Sequence, residues 1–534
     1  MFKFAESRPD PLSPVEALLQ IASFDRTTAK VIVISNTAIA LSLTAWFFLI
    51  PVCLLVRDVC DDALTDMGIP HFALRLHRTL TPAYERWARD RVDRQQAVSE
   101  TENISGTEWP LFGTAFYLWA TEAIQEAYEK DPSILPVPPR QYAKNALEAC
   151  ACLLSDPNHA RWVRAHWGAD YLHNQNVFYR MLLIGGLSVH HKLTASEQYL
   201  PLLRDQVETL SRALDESPWG LLDDYPGECY PGDVLAAWAC IKRADTELGT
   251  DHSAMIERAV RAFEGCRLDV ATGLPPYAAF SRTGEAFGPA RGCSNAYILT
   301  FAPELWPEKA RAWYGSAEKH FWQHRWTADG FREFPRGLKG GEWYFDVDSG
   351  PVVAGHGIAA TAFGVAAARA NGRPDHAYPL GAEMIAASMP LPDGSLFLPR
   401  FLSNATDAPY LGEASVLFCL TRPALAPVTR TARPLPFFVC AVIGLYMCVG
   451  LLVVLSQALR LANLNRLVVA KRPCLPRVSL ATWVALLAGA VALLALRAAL
   501  WALVPLLLAQ LVPRWKRRPE GDGQPAGTAP QPPK

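Results

Sequence analysis

Three apolar runs govern what this chain can fold into. Residues 31–56 (VIVISNTAIALSLTAWFFLIPVCLLV) and 436–458 (PFFVCAVIGLYMCVGLLVVLSQA) carry no charged side chain, and residues 479–513 carry only Arg497. A helix rises about 1.5 Å per residue, so each of the first two runs can cross the roughly 30 Å hydrocarbon core of a bilayer. The third is long for one span and short for two. A single tilted helix and a hairpin turning at Arg497 or Pro505 both fit it. The first run does not read as a cleaved signal: thirty residues precede it, among them Pro9, Pro11 and Pro14, and no small-residue cleavage site follows. A chain that is 50 % apolar and only 19 % charged agrees with membrane segments.

Basic residues set an expected orientation. Lys3, Arg8, Arg26 and Lys30 precede the first run, and Arg460, Arg466, Lys471, Arg472 and Arg477 separate the second from the third. Both flanks read as cytoplasmic, which places the intervening domain on the far side of a cell (inner) membrane. Arg422, Arg430 and Arg433 flank the second run on the other face. The expected order is a cytoplasmic segment 1–30, a span 31–56, an extracytoplasmic domain 57–430, a span 436–458, a basic cytoplasmic loop 459–478, a hydrophobic segment 479–513 and a disordered tail 514–534. The lipid bilayer is thus one expected partner. A net charge of −1 gives no general footprint for nucleic acid. Of the twelve cysteines, eight fall in the middle domain, without a CxxC pair or a disulfide-framework spacing.

The middle domain lacks period-two strand patterns and repeats a helical period. Helices are predicted near 80–98, 111–130, 139–155, 174–193, 197–214, 233–248, 252–266, 293–303, 308–322, 352–371, 374–388 and 409–421. Every other helix follows a segment rich in aromatic, polar and glycine residues: 106–113, 166–176, 223–233, 287–295, 341–350 and 401–413. Helices after these segments are poor in charge, whereas the alternate ones are amphipathic, the pattern of inner and outer helices. Six such pairs predict an all-α fold, an (α/α)6 toroid or barrel, with the recurrent segments opening at one rim. An open helical array is the plainer alternative.

Within these segments several residues could carry chemistry. Cys229 stands just before a predicted helix start, where the dipole would lower its pKa; a buried inert thiol is the plainer reading. Glu108 beside Trp109 could be a tuned acid or an ordinary first-turn carboxylate. Asp233 reads first as an N-cap, among Asp223, Asp224, Tyr225, Glu228 and Tyr230. Asn176 and Tyr179 could bind a ligand, with capping the favoured role for the asparagine. Arg291 would suit an anionic or hydroxylated substrate, or pair with a loop carboxylate. Trp343, Tyr344, Asp346 and Asp348 combine aromatic walls with two carboxylates, more often a solvated or capping pair than a metal site.

The domain resembles the linalool dehydratase/isomerase family, bacterial α/α-barrel lyases acting on a monoterpene alcohol. The likeness spans roughly residues 105–420 and is carried by NVFYR at 176–180, GECYPGDVLAAWACIKRADTELGTD at 227–251, a stretch at 271–314 and DVDSGPVVAGHGIAATAFGVAAARANG at 346–372. The resemblance aligns Cys229 with the first cysteine and Pro231 with the proline of a Cys-x-Pro loop. Trp238 stands at the second cysteine's place and Cys240 two residues beyond it. Phe112 and Ser294 stand where the family has tyrosines, and MLLIGG follows NVFYR where it has a histidine.

Together with the apolar runs, the resemblance implies a membrane-anchored lyase or isomerase-like enzyme needing no cofactor and no metal, acting on a small-molecule substrate. Cys229 would serve as acid, base or nucleophile, helped by Glu108, Asp224 or Asp348. Trp109, Phe112, Asn176, Tyr179, Tyr225, Tyr230, Tyr277, Arg291, Ser294, Trp343 and Asp346 would line the substrate site. An envelope carbohydrate hydrolase or lyase using the same acids is the first alternative. A non-catalytic scaffold or ligand-binding protein is the second. Oligomerisation is left open.

Overall fold

The computed structural model describes residues 21–23, 26–96, 103–338, 340–428, 434–464, 474–495 and 499–511. The expected tail 514–534, Arg497 and most of the N-terminal segment lie outside them. The chain divides into two units, Met1–Ile50 with Leu445–Lys534, and Pro51–Gly444. Both are mostly helical.

Helix α1 (Arg26–Thr44) runs through a π-helical turn (Ala45–Leu49) into α2 (Ile50–Val59). Lys30–Val59 and the helix Phe437–Ala462 are the two helices, among the described residues, long and apolar enough to cross a membrane. Within the first unit Thr37 Oγ1 donates to Gln457 Oε1 at 3.2 Å, a polar clasp between apolar helices. A side chain at Gly450 would meet Leu49, so that glycine permits close packing. The third apolar run forms two helices, Arg477–Ala495 and Ala499–Leu511, which pack against each other.

The larger unit continues with α3 (His71–Asp93), α4 (Ile104–Lys130), α5 (Lys144–Ser155), α6 (Arg161–Trp167), α7 (Val177–Thr194) and α8 (Leu200–Glu216). Then come α9 (Pro231–Leu248), α10 (Ser253–Ala259), α11 (Gly292–Leu305), α12 (Pro307–His320), α13 (Ile358–Ala370), α14 (Pro374–Ser388) and α15 (Leu411–Thr421). The charge-poor helices pack in order: α4 on α7, α7 on α9, α9 on α11, α11 on α13, α13 on α15, and α15 on α4. Small residues make this close approach feasible. A side chain on Gly185 of α7 would fall 2.9 Å from both Cys240 Sγ of α9 and the Trp119 ring of α4. The amphipathic helices lie against these: α8 on α7, α12 on α11 and α14 on α13.

Aromatic rings from four of the charge-poor helices meet one another. Phe112 and Phe116 (α4), Tyr297 and Phe301 (α11), Phe363 (α13) and Phe418 (α15) form a connected cluster with ring separations of 4.2–6.4 Å. Such burial supplies on the order of 1.5–3 kcal/mol per large side chain. The buried Arg369 of α13 donates to the carbonyls of Arg422, Met67 and Gly68 at 2.7–3.0 Å.

Three expectations need correction. Residues 106–113 are not a loop but the first turns of α4, which starts earlier because Asn103 Oδ1 accepts from Gly106 N at 3.1 Å. The expected helix 352–371 begins only at Ile358. The residues before it pair antiparallel as Trp343–Asp346, Gly350–Val353 and His356–Gly357, a small sheet turned by Gly350 and Gly355 at positive φ. Short antiparallel pairs also form at Ala278–Ala279 with Ala286–Phe287 and Trp322–His324 with Asp329–Phe331. These strands are two to four residues long, too short for an alternating pattern to be legible.

Candidate functional site

The starts of five charge-poor helices converge on a cavity of about 680 Å³. Helix α4 supplies Glu108, Trp109 and Phe112, α7 supplies Phe178, and α9 supplies Asp233. Helix α11 supplies Cys293, Ser294 and Tyr297, and α13 supplies Phe363. Between helices, Tyr225, Glu228 and Tyr230 come from the 223–230 loop, Tyr277 from the 278–287 hairpin, and Asp348 from the turn of the three-stranded sheet. Five of the six recurrent segments therefore contribute; 401–413 lends no lining residue. The floor is aromatic, from Phe112, Tyr297 and Phe363, and part of the ring cluster described above.

The carboxyl groups are held by phenols. Tyr225 donates its hydroxyl to Glu108 Oε1, Tyr277 donates to Asp348 Oδ2, and Tyr230 donates to Glu228 Oε2 at 3.0 Å. Burial pushes Glu108 up to about 7; the Tyr225 hydrogen bond opposes this, while the negative charges of Asp348 and Glu228 add to it. Asp233 is pushed up to about 8, first by burial and then by Glu108 and Asp348. Its carboxyl makes no hydrogen bond among the described residues. The N-cap role expected for it falls instead to Tyr230, and Asp233 stands inside the first turn, facing the cavity. A helix N-terminus favours a charged carboxylate by about 0.3–1 kcal/mol, less than burial and two neighbouring acids cost it.

Several residues singled out from the sequence lie elsewhere. Cys229 is fully buried, and its carbonyl accepts from Ala279 N at 2.9 Å; it does not line the cavity, and burial raises its thiol pKa rather than lowering it. Burial and the neighbouring Asp224, Asp223 and Asp233 outweigh the expected dipole effect. Asp224 reaches the cavity wall, but its oxygens accept from Phe178 N at 2.7 Å and Tyr230 N at 2.9 Å, so it is a structural cap. Tyr179 is buried and donates to Leu154 O at 3.0 Å, and Asn176 is buried and donates to Tyr171 O at 3.2 Å. Trp343 is 71 % exposed, away from the cavity.

Arg291 also turns from substrate to structure. Its Nε donates to the buried Glu333 at 2.6 Å, and Nη2 pairs with Asp346 at 2.8 Å. The guanidinium lies 4.3 Å from the Tyr277 ring centroid, so its charge is spent within the protein. Asp346 is likewise engaged, by Arg291 and by Ser349 N at 2.7 Å. Sequence reading passed over the groups that this pair supports. Glu333 accepts from Cys293 N at 3.2 Å and from Cys293 Sγ at 3.0 Å, placing that thiol at the cavity wall. Glu333 lies 40 residues beyond Cys293 in no recognisable motif, so no local signal joined them.

The chain matches no protein-family model and no curated protein. The chemistry of the cavity is thus read from its own groups: two carboxyls raised towards neutrality, a third fixed by a tyrosine, and an apolar floor.

Proposed function

We propose that the charge-poor helices close an (α/α)6 toroid, and that its cavity is the active site of a membrane-anchored, acid–base lyase or isomerase acting on an amphipathic alcohol. The packing order of the six helices, returning from α15 to α4, supports the toroid. One observation carries the reaction class: Asp233, an unpartnered carboxyl raised to about 8, shares a cavity with the tyrosine-held Asp348. At neutral pH Asp233 keeps its proton and can give it to a leaving hydroxyl. Asp348, an acceptor in its bond to Tyr277, takes a proton from the neighbouring carbon. The C–O bond breaks, the C–H electron pair forms the alkene, and water leaves. Such catalysis needs one group that gives a proton and another, placed in the same cavity, that takes one. Positive charge developing on carbon would be met by the carboxylates and by aromatic faces.

The aromatic floor favours a hydrocarbon portion over a sugar, whose ring carries a hydroxyl on almost every carbon and needs a polar partner for each. The reading keeps the lyase chemistry implied by the resemblance at 105–420 but moves it from Cys229 to the carboxyl groups. An extracytoplasmic location for the domain belongs to the same proposal, resting on the basic flanks of the apolar runs. The test is to incubate the purified full chain with a panel of allylic and tertiary alkenols and follow alkene by gas chromatography. Turnover that falls by about 10²–10⁴ in Asp233→Asn and Asp348→Asn supports the reading. Inertness towards every alkenol, with reducing sugar released from envelope glycans, would overturn it.

A further inference from the structure

A second cavity, of about 770 Å³, opens beside the end of α2 and belongs to no part of the proposed reaction. Arg57, Arg75, Arg78 and His71 stand around it, and Leu74, Ile134 and Leu135 form an apolar side. Its acids are already used. The carboxylate of Asp58 is fully buried: Oδ1 accepts from Arg57 Nε and Nη2 at 3.1 and 3.0 Å and from Arg75 Nη1 at 3.2 Å, and Oδ2 accepts from Arg75 Nη2 at 2.5 Å. Asp61 Oδ1 accepts from Ala63 N at 3.0 Å, and Oδ2 from His71 N at 2.6 Å with His71 Nδ1 at 3.0 Å. Arg57 Nη1 and Arg75 Nε make no hydrogen bond, and Arg78 has neither hydrogen bond nor ion pair, among the described residues. Three arginines face two aspartates, leaving positive charge and unused donors directed at one hollow.

The position in the chain narrows the ligand. Arg57 is the first charged residue after the apolar run 31–56; on the reading that this run crosses a bilayer, it stands near the level where lipid phosphates begin. We propose that this cavity binds the phosphate of an anionic lipid, with Arg57, Arg75 and Arg78 on the phosphoryl oxygens and the Leu74–Ile134–Leu135 side against the glycerol and upper acyl chain. Guanidinium groups match phosphate geometry, and a fixed pair loses less freedom on binding than free side chains. Asp58 is a positioning residue: buried beneath Arg57 and Arg75, it holds them together against their mutual repulsion.

The experiment titrates the full chain in neutral detergent with dihexanoyl phosphatidylglycerol, dihexanoyl phosphatidylcholine or inorganic phosphate, reading binding by native mass spectrometry and the shift in melting temperature. Phosphatidylglycerol is expected to bind about tenfold or more tighter than either of the others, and to weaken as salt rises. Arg78→Glu is expected to cost about ten- to a hundredfold while leaving the lipid-free melting temperature nearly unchanged, because the exposed Arg78 makes no hydrogen bond or ion pair among the described residues. Arg78→Gln, expected to lose less, serves if the glutamate variant fails to fold. Equal binding of phosphatidylcholine, or undiminished binding by both Arg78 variants, overturns the proposal. Inorganic phosphate binding as tightly as phosphatidylglycerol overturns the lipid assignment and makes the site one for free phosphate.

Discussion

Asp233 concentrates the conflict between burial and charge that the proposed chemistry uses. Its pKa stands at about 8, against the ordinary 3.8, so the folded state holds a proton that the unfolded chain releases above about pH 4. Stability from this group is complete below that pH and declines as pH rises towards 8. Asp233→Asn should therefore melt higher than the parent at pH 8 and equally at pH 4, while losing turnover; calorimetry at the two pH values checks it. A parent whose stability does not fall between them would show that Asp233 is not neutral at pH 7. The proposed activity should also fade above about pH 8, as Asp233 loses its proton. Cys229→Ala makes the opposite case. It should cost about 1 kcal/mol of stability and leave turnover unchanged, because the thiol is walled off from the cavity. The sequence offered Glu108 both as a carboxyl in an apolar pocket and as an ordinary first-turn residue, and burial raises it; Asp233 was read first as a cap, since a first-turn aspartate ordinarily caps.

At the level of elements, the loops that place the acids depend on backbone satisfaction and close approach. Asp224 ties the start of α7 to the start of α9 through two amides, at 2.7 and 2.9 Å. Asp224→Ala would strand both buried donors and should cost about 2–4 kcal/mol in urea unfolding, with the melting temperature falling accordingly. Gly292 opens α11 against the strand region: a Cβ there would lie 1.9 Å from Arg332 O. Gly292→Ala should destabilise by about 1–3 kcal/mol or more and loosen the Arg291–Glu333–Cys293 contact beside it, seen as faster alkylation of Cys293. Helix periodicity placed α9, α11, α14 and α15 within about three residues of their ends, because long amphipathic or apolar runs carry a strong signal. The three-stranded sheet at 343–357 was missed because its strands are held by pairing across turns rather than by their own pattern.

At the scale of the whole molecule, the end of the first apolar helix belongs to the core of the larger unit. Leu55 and Val59, at the end of the first apolar helix, are buried in the core of the larger unit, and Tyr378 donates to Val59 O at 3.3 Å. A soluble fragment 51–428 should thus outlast 60–428 in thermal unfolding, since removing two buried aliphatic side chains costs about 1.5–3 kcal/mol each. Equal melting temperatures would show that these residues only pass by. The boundary expected from hydrophobicity alone, at 56, falls inside the domain's packing, because an apolar side chain fits lipid and protein core alike.

Local chemistry by itself determined much of this protein. Uncharged runs announced the membrane-length helices, and alternating charge-poor and amphipathic helices announced an all-α body. Recurrent aromatic-polar segments also marked where a cavity would gather. Tertiary structure alone decided which of the marked side chains face that cavity. Cys229, Asn176, Tyr179, Arg291, Trp343 and Asp346 turn to the core, to partners or to solvent, while Asp233 comes forward, as does Cys293, held by the buried Glu333. The reason is that burial, carboxylate crowding and ion pairing act between residues distant in the chain, and a single sequence records the residues but not their distances.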